Sequence, residues 1–150
     1  MRITNKFNLP EAICQAIRND PYNPGPCDMS VTTLISPPRM VELKRRHHKE
    51  ITEDFSDRIW SLFGQGIHAV LERAETNAIT EARMTIERQG WVISGQLDHY
   101  DPTTGILCDY KTCSVYGIRN GARSEWIAQM NILATLLREH GYAVNQLQVV

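Results

Sequence analysis

Apolar and polar positions change their period along the chain, and the changes mark out its elements. From Asp54 the residues Ile59, Phe63, Ile67, Val70 and Ala74 recur at the i, i+3, i+4 spacing of one helical face, behind a start signal at Ser56/Asp57. A helix with that stripe buried is expected. His68 falls off the stripe, on a side shared with Gly64. Gly64 and Gly66 each cost about 1 kcal/mol relative to Ala inside a helix, so a close neighbour is expected against it.

From Glu81 to Cys113 the period shortens to two: "EARMTIE", a Gln89-Gly90 turn, "WVISGQLDHY", the turn "DPTTG", and "ILCDYKTC". The pattern predicts a three-stranded meander. In its last strand Leu107, Asp109 and Lys111 share one face, while Ile106, Cys108 and Tyr110 share the other. The "DPTTG" turn brings Asp98 back beside the Asp109 strand, in a register left open. The helical period returns in "SEWIAQMNILATLLREHGYAV", with Ser124 as cap and Gly141 as stop. Trp126, Ile127, Met130, Leu133, Ala134 and Leu137 form its core face and Gln129 its edge; "NQLQVV" then reads as a final strand.

Ahead of these elements the pattern is short and broken by proline. Pro10 opens a short helix, "PYNPGPCDM" is a rigid loop, and Ser30 is an N-cap before a break at Pro37-Pro38. The next helix ends in Lys44, Arg45, Arg46, His47, His48 and Lys49, either a solvated helix end or a phosphate-contacting patch. The expected architecture is α/β: a helical N-terminal segment over 1–55, and over 56–150 a central mixed sheet flanked by the His68 and Gln129 helices.

With 150 residues the chain can bury one real core, and one domain is expected. No apolar run reaches the roughly eighteen residues of a membrane span. The N-terminus lacks the apolar stretch of a secretory signal, so cytoplasmic residence is expected. Four cysteines without a CxxC pair read as free thiols. A net charge of −1 makes no global case for nucleic acid, so phosphate contacts would have to be local. Arg39, Lys44, Arg45, Arg46, Arg119 and Arg123 are the candidates.

Asp98 and Asp109 converging on a half-buried sheet repel each other unless a cation intervenes. A hard divalent ion suits them: Mg²⁺ prefers oxygen donors, and an imidazole such as His68 is better matched to Mn²⁺. Such an ion lowers the pKa of bound water, and a nearby lysine can orient or deprotonate that water. The plainer reading is an Asp109–Lys111 surface ion pair worth at most about 1 kcal/mol.

Taken in order, "GQGIHAVLE", "GQLD", "DYKT" and "QMNIL" resemble the motifs of the PD-(D/E)-x-K nuclease superfamily, in its RecB-like, phage-type exonuclease branch. "SVTTLISPPRM" is similar to the entry segment of these proteins, so the resemblance runs from about residue 30 to the C-terminus. It implies a restriction-endonuclease-like core and metal-dependent DNA hydrolysis leaving 5′-phosphates, as an exonuclease or end-processing enzyme of phage or prokaryotic replication, recombination or repair. His68, Asp98 and Asp109 would hold Mg²⁺ or Mn²⁺ with the Tyr110 carbonyl. Lys111 would act on the attacking water, Gln129 would place DNA or the lysine, and Glu81 would support the site. DNA with free ends is the implied substrate, and a recombinase, helicase or single-strand-binding protein the kind of partner. Leu133 stands where the family's glutamine motif usually ends in tyrosine. No cysteine follows Cys113, so the iron–sulfur cluster of some relatives is not expected. A non-catalytic DNA-binding module on the same fold is the alternative.

Overall fold

A computed structural model describes residues 1–74, 77–119 and 121–150. The elements are β1 (Arg2–Thr4), α1 (Glu11–Arg18), β2 (Met29–Ser30), α2 (Val31–Ile35), α3 (Pro38–Arg46), β3 (Thr52–Asp54), α4 (Ile59–Glu72), β4 (Ile79–Thr80), β5 (Arg83–Arg88), β6 (Trp91–Gln96), β7 (His99–Asp101), β8 (Ile106–Asp109), α5 (Ser124–Glu139) and β9 (Gln146–Val149). The fold is mixed α/β, as expected.

The meander forms, with a break at Glu81. β5 pairs antiparallel with β6 and β4 with β7, and both pairs keep one register: Thr80 faces His99 and Arg83 faces Gln96. Between them the strands separate into two sheets, ordered β2-β6-β5 and β4-β7-β8-β9. Glu81 sits at the break in the left-handed backbone region, φ 47°. That conformation costs a non-glycine residue of order 1 kcal/mol. Bonds from Glu81 N to the Asp98 carbonyl at 3.1 Å and from Leu97 N to the Ala82 carbonyl at 2.9 Å carry the pairing across. β9 closes the second sheet parallel to β8.

The main core lies between these sheets and α5. Leu97, Tyr100 and Leu107 meet Met130, Leu133, Ala134, Leu136 and Leu137, with Val31 from the N-terminal segment. Gly95 permits the close approach, since a Cβ there would lie 2.6–2.7 Å from side-chain carbons of Leu133, Leu136 and Val31. The segment 1–55 is therefore not only a helical arm. It also contributes β2, which pairs parallel with β6, and a small cluster of Cys14, Ile17 and Phe55 onto which Leu62 packs.

Several sequence expectations need correction. The α4 stripe is exposed: Phe63 is 60% and Val70 64% accessible, Ile67 and Ala74 are also exposed, and Ile59 is only half-buried. α4 stands at the edge of the molecule with its inward side given to Leu62 and to the site described below, which leaves the apolar stripe outermost. In α5, Ile127 is exposed and Trp126 half-buried, whereas Leu136 is fully buried. Ser124 is the first helical residue and not the cap; Arg123 occupies the cap position without a side-chain bond. The start before α4 is a capping box of Asp54 and Asp57, with Ser56 inside the 3₁₀ turn Phe55–Arg58. Ser30 does cap α2, accepting from Thr33 N at 3.1 Å.

Candidate active site

Pairing register places three acids in one row. Glu81 stands opposite Asp98 through the β4–β7 and β5–β6 pairings. His99 faces Cys108, and the next step of that register sets Asp98 opposite Asp109. Like charges directly opposite in a sheet are destabilising. The row therefore calls for cations, and two flank it.

His68 reaches the row from α4. Its Nδ1 lies 2.9 Å from Glu81 Oε1 and 3.6 Å from Asp98 Oδ1, and its Nε2 lies 3.3 Å from the Tyr110 carbonyl. Both ring nitrogens thus face acceptors, an arrangement that suits the doubly protonated imidazolium. Burial, the largest influence, works against that cation, but the hydrogen bond to Glu81 and the charges of Asp98 and Glu81 outweigh it and raise the pKa. Gly64, one turn earlier, lets the helix come this close: a Cβ there would lie 3.2 Å from Thr112 Oγ1. Gly66 faces open space, so only the first of the two glycines has a close neighbour.

The second cation is Lys111. Its Nζ lies 2.7 Å from Asp109 Oδ2. Asp109 is only 1% exposed, which rules out the surface-pair reading. The approach of the ammonium is close enough for charge but off hydrogen-bond geometry, so Oδ2 is a buried oxygen without a hydrogen-bond donor. Oδ1 accepts from Gln129 Nε2 at 3.2 Å, which places the α5 glutamine on the acid itself.

Asp98 accepts from Tyr110 N at 2.7 Å. Burial, with added repulsion from Asp109, nonetheless pushes its carboxyl up to about 6. Glu81 is held by Gln96, which donates to Oε2 at 2.7 Å, and Gln96 in turn accepts from Arg83 at 2.6 Å.

The donor set suits a divalent cation. Ligand atoms of His68, Glu81 and Asp98 lie within 4.8 Å of one another. Glu81, expected only as support, thus joins the central group, and its strained backbone was the signal that strand periodicity could not register. Asp109, expected as a ligand, lies instead between Gln129 and Lys111, with Oδ2 buried against the ammonium. One imidazole and several carboxylates match Mn²⁺ or Mg²⁺ better than a soft metal.

His68, Glu81, Asp98, Lys111 and Gln129 line one open cleft of about 800 Å³. Arg39, Lys44, Arg45, Arg46, Arg119 and Arg123 do not line it. Glu42 pairs with both Arg45 and Arg46 on the surface of α3, and Arg123 lies over the Trp126 ring at 5.0 Å. The basic side chain that enters the cleft beside Lys111 is Arg83.

No protein-family model and no curated protein matches this sequence. Among solved structures, the crystal structure of SSO0001 is similar in fold over 92% of this chain and 69% of that one, with a TM-score of 0.65 and 19% identity. At that identity the likeness speaks for the mixed α/β fold alone.

Proposed function

We propose that the chain is a metal-dependent DNA nuclease of the PD-(D/E)-x-K superfamily, with a restriction-endonuclease-like core and a preference for DNA ends. The observation that carries this reading is the row Glu81, Asp98 and Asp109 across adjacent strands, with Glu81, Asp98, His68 and Lys111 on the wall of one open cleft and Asp109 buried behind it. No need of the fold accounts for three acids across adjacent strands, one of them on strained backbone.

His68, Glu81 and Asp98 would hold Mg²⁺ or Mn²⁺, with the Tyr110 carbonyl and the Asp109 carboxylate beside them. Such an ion, when bound, lowers the pKa of its water and offsets charge on a phosphoryl oxygen. Gln129 fixes one oxygen of Asp109, and the other holds the Lys111 ammonium at the cleft wall. From there Lys111 orients the attacking water and stabilises the charge that develops on the phosphoryl group. Arg83 and Gln96 keep the Glu81 carboxylate in place. The reaction is hydrolysis of a phosphodiester by in-line attack on phosphorus, leaving a 5′-phosphate.

The test is digestion of end-labelled linear and closed circular DNA in Mg²⁺, Mn²⁺ or EDTA, using wild type, Asp109→Asn and Lys111→Ala. Loss of linear DNA that needs metal and disappears in both variants supports the reading, and surviving circles establish the need for an end. Folded wild type that cleaves nothing with either metal would sink it.

A further inference from the structure

Two exposed aromatic rings line the cleft that holds His68, Asp98 and Lys111, and the fold needs neither of them. Tyr22 is 57% and Trp60 68% accessible. What sets these two apart from other exposed rings is their place on the wall of the cleft, beside the acid row.

Each ring has a neighbour behind it. Tyr22 has the Arg83 guanidinium 5.7 Å from its centroid, and Arg83 is itself anchored by the Pro24 carbonyl at 3.1 Å, Ser94 Oγ at 3.0 Å and Gln96 Oε1 at 2.6 Å. The tyrosine is thus backed by a cation held by three hydrogen bonds, with more than half its surface free. Trp60 is backed by Phe63, with ring centroids 6.0 Å apart.

Position along α4 connects the second ring to the acids. Trp60, Gly64 and His68 follow at i, i+4 and i+8, on one helix face. Gly64 puts no side chain of its own between the outer two, and Thr112 Oγ1 packs against it there, so the cleft wall between Trp60 and His68 is formed by Gly64 and Thr112. At 1.5 Å per residue the separation is about 12 Å along the axis. That is the span of a few nucleotides at about 3.4 Å each.

A phosphodiester at the acid row would carry its neighbouring bases toward these rings. Every nucleobase has a π face, and stacking on aromatic side chains tolerates any sequence. In a duplex those faces are covered by adjacent base pairs; an unpaired base offers a free one. Resting on the nuclease reading above, we propose that Tyr22 and Trp60 form a stacking rim for unpaired nucleobases beside the phosphodiester, making a single-stranded end the favoured form of the substrate.

Fluorescence anisotropy in EDTA, where cleavage is blocked, would compare a labelled single-stranded oligonucleotide with a blunt duplex of the same sequence. Trp60→Ala and Tyr22→Ala should each weaken single-strand binding about tenfold and leave duplex binding within about twofold. Trp60→Phe and Tyr22→Phe should keep most of the affinity, and all four variants should melt like wild type because both rings are exposed. Unchanged single-strand binding in both alanine variants, or an equal loss on both substrates, overturns the stacking rim. If metal-dependent cleavage survives that outcome, the nuclease reading stands without the rim. Wild type that binds neither DNA also overturns the rim, while the nuclease reading is decided by metal-dependent cleavage.

Discussion

Tyr110 N donates to Asp98 Oδ2 at 2.7 Å, tying the carboxylate of one strand to the backbone of its neighbour. The bond holds Asp98 at the centre of the acid row even though burial and Asp109 disfavour its charge. Stability is lower at this point than it would be without the acid, and the consequence is measurable.

A carboxyl raised to about 6 binds its proton more tightly folded than unfolded. The metal-free protein therefore loses stability as pH rises from about 4 to about 6 through this group. Asp98→Asn keeps an acceptor for Tyr110 N and removes the charge. It should stabilise the protein by about 2 kcal/mol at pH 7, or roughly 4–8 °C in Tm, with the gain shrinking toward pH 4. Thermal melts of both proteins in EDTA across that range test this.

The same protons compete with a cation. Binding of Mn²⁺ requires the deprotonated forms of Asp98 and His68, both of which have raised pKa values. Calorimetric titration should show affinity rising with pH through about 6, with proton release on binding. A flat profile between pH 5 and 8 would remove these residues from the site.

Away from the site, Asp54 behaves in the opposite sense. Its carboxylate is held well below the ordinary range, first by the Lys6 backbone N–H, then by the Thr4 and Ser56 donors that outweigh its burial. A depressed carboxyl stabilises the fold above the unfolded pKa of about 4, and that contribution is lost as pH falls further. Asp54→Asn should flatten the acid limb of the stability curve, read by tryptophan fluorescence, with the strongest effect around β1, β3 and the 3₁₀ turn.

Two substitutions separate packing from pattern. Gly95→Ala would push a methyl against Leu133, Leu136 and Val31 together, leaving no side on which to yield. It should cost about 1–3 kcal/mol. Val70→Ser, by contrast, changes a residue that the helical pattern assigns to the core and the structure leaves exposed. Its unfolding midpoint in urea should move by no more than about 0.5 kcal/mol equivalent.

Much of the local structure was legible in the residues themselves. Period two from Glu81 and period 3.6 from Ser124, with turn residues between, mark the meander and α5, because side-chain alternation and turn chemistry are short-range properties. Asp109 and Lys111 share a strand face for the same reason. That face becomes a site only through long-range pairing. The register opposing Glu81, Asp98 and Asp109, the bend that strains Glu81, and the approach of Gly64 to Thr112 all join residues distant along the chain, where no local propensity can fix them. The exposure of α4 has the same origin. An amphipathic stripe states that a helix has two faces, while which one meets the protein depends on where the helix is docked, and here His68 and Leu62 face inward.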